Sequence, residues 1–153
     1  MNTLKKLPII LVLLAAFAST KIYGQLSESY ELTIYRPAQS MMSGGMGMEI
    51  KVFINEQEVG TLPNGTMLNY SVFSQGELKV KFVSVGLGTV VGSPAVINLE
   101  AKHGESTSIE VSYRHSKGAE AKIPKEKELI KLKKRKWSDT MKGQEDTEKP
   151  LIL

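Results

Sequence analysis

A chain of 153 residues has room for one domain with short extensions, enough to bury its own core without a metal or a cross-link. The absence of cysteine excludes disulfides, thiolate metal centres and a lipid-modified cysteine. The net charge of +4 is unevenly spread, since residues 25–116 hold six Lys/Arg against nine Asp/Glu, whereas 125–136 hold seven basic and two acidic side chains.

Lys5 and Lys6 precede an apolar run at 7–17 that is short for a permanent span and is followed by small residues. This is the pattern of a secretory leader, so residues 1–24 are expected to be removed, with cleavage after Ala18 or after Gly24. An uncleaved anchor is the alternative. Export to the periplasm or the cell surface follows, without attachment through a lipidated cysteine.

Between 30 and 113 the dominant period is two. Tyr30, Leu32 and Ile34 alternate with polar neighbours until Pro37, which cannot donate to a strand ladder. Residues 39–47, rich in Gly and Ser, suit a mobile connection. Ile50, Val52 and Ile54 resume the inward set, and a polar turn at 55–58 leads into a second run ending at Leu62. Pro63, Asn64 and Gly65 are turn residues for distinct reasons, Pro presetting φ and Asn-Gly tolerating positive φ. Leu68, Tyr70 and Val72 follow, then Leu78, Val80 and Phe82 after Gly76, then a glycine-rich link at 84–94 of unspecified geometry. Ile97, Leu99 and Ala101 pair across a turn at 102–107 with Ile109, Val111 and Tyr113. The expected fold is all-β, an antiparallel β-sandwich of about seven strands, Ig-like or transthyretin-like, over residues 25–116.

After Ser116 the composition changes. Residues 117–119 read as a linker, and Pro124 suits the first turn of a helix. The segment 125–137 is made of helix formers with a poor apolar stripe at Leu129, Ile130, Leu132 and Trp137, which predicts a short helix. The remainder, 138–153, is expected to be irregular.

Several short motifs together resemble a known family. Ile34-Tyr35-Arg36-Pro37, the segment 52–55, Val59-Gly60 with Leu62, Asn64-Gly65, and Gly76 before Leu78 and Val80 are similar to the bacterial envelope family called domain of unknown function 2846. The segment 97–113 is similar to that family's closing hairpin. The resemblance covers about residues 30–115 and implies an exported sandwich akin to PEGA and transthyretin-like modules, with no catalytic role. The chain departs from the lipoprotein members in lacking a leader cysteine.

Met41, Met42, Met46 and Met48 could converge thioethers on Cu(I), helped by Gly44, Gly45 and Gly47; the competing reading is that they fill an apolar gap. The run Lys131, Lys133, Lys134, Arg135 and Lys136 with Trp137 could dock on an anionic membrane, a lipopolysaccharide or another polyanion. Against that stand a solvated helix face and a tail folded back on the acidic β domain. Nucleic acid is excluded as a partner by export and by the lack of interleaved aromatics.

Gly86, Gly88 and Gly92 have the wrong spacing for a dinucleotide loop, and Asn64-Gly65-Thr66 is a turn before it is a glycosylation sequon. His103 and His115, beside Glu105, do not complete a zinc site and are expected in exposed turns. No nucleophile, base or carboxylate pair forms a catalytic set, and no cofactor is implied. The resulting expectation is a non-catalytic envelope module whose loops at 38–48 and 84–95 bind an envelope protein or glycan.

Overall fold

The computed structural model describes residues 28–40 and 47–144. Two five-stranded sheets pack face to face. The first, sheet A, runs β10 (Asp139–Gln144), β4 (Thr66–Val72), β1 (Tyr30–Tyr35), β8 (Ser106–Arg114), β9 (Gly118–Lys122). The second, sheet B, runs β3 (Gln57–Leu62), β2 (Glu49–Ile54), β5 (Gly76–Gly86), with β6 (Thr89–Val90) and β7 (Ala95–Ala101) both paired to β5. One short helix, α1 (Glu126–Lys133), lies between β9 and β10 in the chain.

The sandwich expected from the period-two pattern is present, and its inward set is the one that pattern picked out. Leu32, Ile34, Ile50, Val52, Leu68, Val72, Leu78, Val80, Phe82, Ile109 and Val111 are all buried in one core. Alternation places each of them opposite a neighbour that faces out, and burying that many apolar side chains drives the two sheets together. Asn55 and Glu56 close the β2–β3 hairpin in two residues at φ 48° and 66°, the twist that matches right-handed strands.

Four features differ from the sequence expectation. The hairpin expected between 97–101 and 109–113 does not form, because β7 pairs with β5 in sheet B whereas β8 lies between β1 and β9 in sheet A, so the turn at 102–107 carries the chain from one sheet to the other. The pairing is not wholly antiparallel, because β1–β8 and β4–β10 run parallel. Local alternation specifies that a strand exists but not its partner, and these partners are far apart in sequence. The segment read as a linker after Ser116 is β9, whose Ala119 and Ala121 face the core while Glu120 and Lys122 face out. Small side chains hid the period. The segment 139–144, expected to be irregular, is β10, with Met141 against the core. The predicted short helix is present at Glu126–Lys133, acidic in its first turn and basic in its last, as the helix dipole favours.

Backbone contact closes the open side of the sandwich. A Cβ on Gly118 would lie 2.6 Å from the Ser93 carbonyl oxygen, and one on Gly92 would lie 2.5 Å from the Gly118 Cα. Ser93 donates its N–H to the Lys117 carbonyl (3.1 Å), and Ala119 donates to the Ser93 carbonyl (3.3 Å). The glycine-rich link is therefore a clamp between sheet B and β9.

Candidate functional site

One end of the sandwich carries residues 36–40 and 47–48 and the connections 86–89 and 91–94, and Arg36 organises it. Arg36 sits at an inward-facing position after β1 and is fully buried. It donates from Nη1 to the Leu62 carbonyl and from Nη2 to the Met48 carbonyl (2.7 Å), tying the end of β3 and the start of β2 to the end of β1. Burial pulls its pKa down to about 10 and the Glu49 carboxylate pulls it back up, so the guanidinium is charged at neutral pH. Gln39 exchanges hydrogen bonds with the backbone of Tyr113 (2.9 and 3.0 Å) and with the side chain of Asn64 (2.9 Å each). The base of this end is a fixed scaffold. Sequence reasoning placed Arg36 in a motif without a role; its signal was an arginine at an inward parity.

Of the four methionines proposed for Cu(I), Met48 is half-buried, and its Sδ fills the space beside Gly86, 2.7 Å from where a Cβ there would stand. This is the gap-filling use of methionine. Met41, Met42 and Met46 lie outside the described residues. Among the described residues no group of three or more His, Cys, Asp or Glu is placed to hold a metal.

Of the two loops named from sequence, 38–48 contributes Gly47 and 84–95 contributes Val85, Leu87 and Gly88 to one cavity, while 41–46 lie outside the described residues. Gly47, Glu49, Lys51, Val85, Leu87 and Gly88 line a shallow cavity of about 460 Å³. Beside Glu49 and Lys51 the outer face of sheet B carries a group of valines. Val83 and Val85 alternate with the buried Phe82 and Ser84, so both point outward. Val90 lies directly opposite Val85, and Val96 opposite Lys81, which places them on that same face. Leu87 stands at the hairpin tip with 105% of its reference surface exposed and φ of 49°, and Val90 is 65% exposed. Residues 86–88 are thus a hairpin turn leading into a strand, with no helix to receive a phosphate.

The outer face of sheet A at the same end is covered. Between β9 on one edge and β10 on the other, the chain crosses this face through α1. Leu132 is buried, Glu128 accepts hydrogen bonds from Lys122 (3.1 Å) and the Lys125 N–H (3.1 Å), and Trp137 packs on Tyr35 with ring centroids 5.3 Å apart. Tyr35 points outward from β1 yet is only 4% exposed; burial raises its pKa while a hydrogen bond with Ser108 lowers it. Arg135 lies over the Trp137 ring, 5.9 Å from the centroid. The sequence put Trp137 beside the basic run as an interfacial anchor. The structure makes it the half-buried pin of the crossover, while Lys131, Lys133, Lys134, Arg135 and Lys136 are all exposed.

His103 bonds the Phe73 carbonyl through Nε2 (2.9 Å), and His115 is exposed beside Tyr113. Glu105, the carboxylate weighed with them, is exposed in the turn before β8. The sequon residue Asn64 spends its amide on Gln39. Among the described residues no helix is long and apolar enough to cross a membrane. In comparisons with protein-family models, curated proteins and solved structures, nothing matches the chain.

Proposed function

We propose that this protein is a non-catalytic, exported binding module of the bacterial envelope that engages another envelope protein through the loop end of sheet B. The observation that carries this reading is Leu87. A leucine at positive φ costs roughly 1 kcal/mol against glycine or asparagine, and a two-residue turn of this type favours Asn-Gly. Leu87 accepts that cost with its side chain in water, and no contact with another described residue repays it. Exposed Val90 and half-buried Val83 and Val85 adjoin Leu87 on the outer face. Such a strip, rimmed by Glu49, Lys51 and Lys81, suits a protein surface better than a glycan, which would call for more hydrogen-bonding groups. The resemblance of the strand motifs to an envelope family, and the leader-like first residues, support the compartment.

The test is affinity capture from the native envelope with the wild-type chain and with Leu87→Asn combined with Val90→Thr. Both substitutions suit their backbone positions, and asparagine relieves the left-handed backbone at 87, so the variant should melt no lower than the wild type. A partner recovered by the wild type and lost by the variant supports the reading. Equal recovery by both would remove it.

A further inference from the structure

The crossover that shields sheet A turns a second surface toward solvent. Helix α1 buries Leu132 and directs Glu128 to Lys122 on one side. Lys127, Ile130, Lys131 and Lys134 follow i, i+3, i+4, i+7 spacing and occupy the opposite side, all of them exposed, Ile130 at 47%. Ile123, 56% exposed, precedes the helix, and exposed Lys133, Arg135 and Lys136 extend the charge beyond it. Among the described residues none of Lys127, Lys131, Lys133, Lys134 or Lys136 forms an ion pair. The nearby carboxylates are already engaged, Glu110 and Glu128 by Lys122 and Glu120 by Arg114. Glu126 and Asp139 are the acidic groups that flank the surface.

We propose that this face of the crossover docks on an anionic phospholipid surface. Unbalanced ammonium groups supply the charge complementarity, and long lysine stems beside Ile123 and Ile130 place aliphatic surface at the level of the headgroups. A soluble polyanion would use the lysines but gain nothing from the isoleucines. Trp137 takes no part, because its ring is half-buried against Tyr35. The surface is on the opposite outer face from the apolar strip of sheet B, so the two are accessible together.

The experiment is vesicle co-sedimentation of the full chain on neutral phosphatidylcholine and on the same lipid with about 30% phosphatidylglycerol, at about 0.1 M salt. Uptake through apolar side chains is common to both vesicles, so the readout is the ratio of anionic to neutral binding. Lys131→Gln, Lys133→Gln and Lys134→Gln together should lower that ratio about a hundred-fold, about five-fold per charge, with unchanged melting. Ile130→Ser should weaken anionic-vesicle binding several-fold while leaving retention on immobilised heparin unchanged. A wild-type ratio near one, a triple variant that keeps the ratio, or an Ile130→Ser protein that binds anionic vesicles like the wild type would each overturn the proposal. The last of these would leave a soluble polyanion as the occupant.

Discussion

Tyr35 and Val85 stand at the same end of the sandwich, each on the outer face of its own sheet, and they meet opposite surroundings. Above Tyr35 the chain lays its own Trp137 and Leu132, and beyond the cover that face is polar, carrying Glu31, Thr33, Asn69 and Ser71. Above Val85 no described residue is laid across the sheet; Glu49 is paired with it on one side and Val90 on the other, with Val83 and Leu87 nearby. Apolar surface facing out of a sheet must be covered or must have a use. The described residues cover it on sheet A and leave it open on sheet B, which is why the open strip reads as a place for a second molecule.

Substitutions can break this contrast from either side. The largest effect is expected where the crossover is fastened. Gly118→Val meets both a positive φ of 93° and the Ser93 backbone, so it should detach β9 and cost about 3 kcal/mol or more, measured by urea denaturation. Trp137→Ala removes the pin itself and should cost about 2 kcal/mol, less than a fully buried tryptophan because this one is half-buried. It should also bring the Tyr35 hydroxyl back toward its ordinary pKa, which an ultraviolet titration reads. On sheet B the sign reverses. Leu87→Gly relieves the left-handed backbone and loses no contact, so it should stabilise the protein by about 1 kcal/mol while weakening partner capture.

The smallest effect lies at the far end of sheet B, where the outer face is polar. Glu56 pairs with Lys79 (2.8 Å) and Lys81, and hydrogen bonds from those two ammonium groups hold its pKa down to about 2. A carboxylate depressed in the folded state adds stability above its unfolded pKa, and loses it as pH falls from the ordinary value toward the folded one. Acid unfolding of Glu56→Gln should therefore be flatter than wild type between about pH 4.5 and pH 2, by a small amount, as suits exposed ion pairs.

The strands from Tyr30 to Tyr113 were legible because each alternates apolar and polar residues between recognisable turns. Gly118-Ala119-Glu120-Ala121-Lys122 alternates too, but alanine carries so little apolar surface that the period is invisible until the clamp at Gly92 holds the strand in place. The segment 139–144 has no strand period of its own and owes its conformation to β4. At the candidate site the difficulty is of another kind. In 82–91 apolar residues occupy both parities, so inward Phe82 and outward Val83 and Val85 look alike, and only the register with β2 and β6 separates them. The basic run was legible as charge, whereas the engagement of Trp137 with Tyr35 depends on a contact a hundred residues distant in sequence.

The contrast between the two outer faces is tested most directly by carbene footprinting with mass spectrometry, on the purified protein and on the same protein in its native envelope. In the purified protein Leu87 and Val90 should label heavily and Tyr35 and Leu132 weakly. In the envelope, labelling at Leu87 and Val90 should fall to the level of the buried pair. Labelling at Leu87 and Val90 that is equally heavy in both settings would contradict the account.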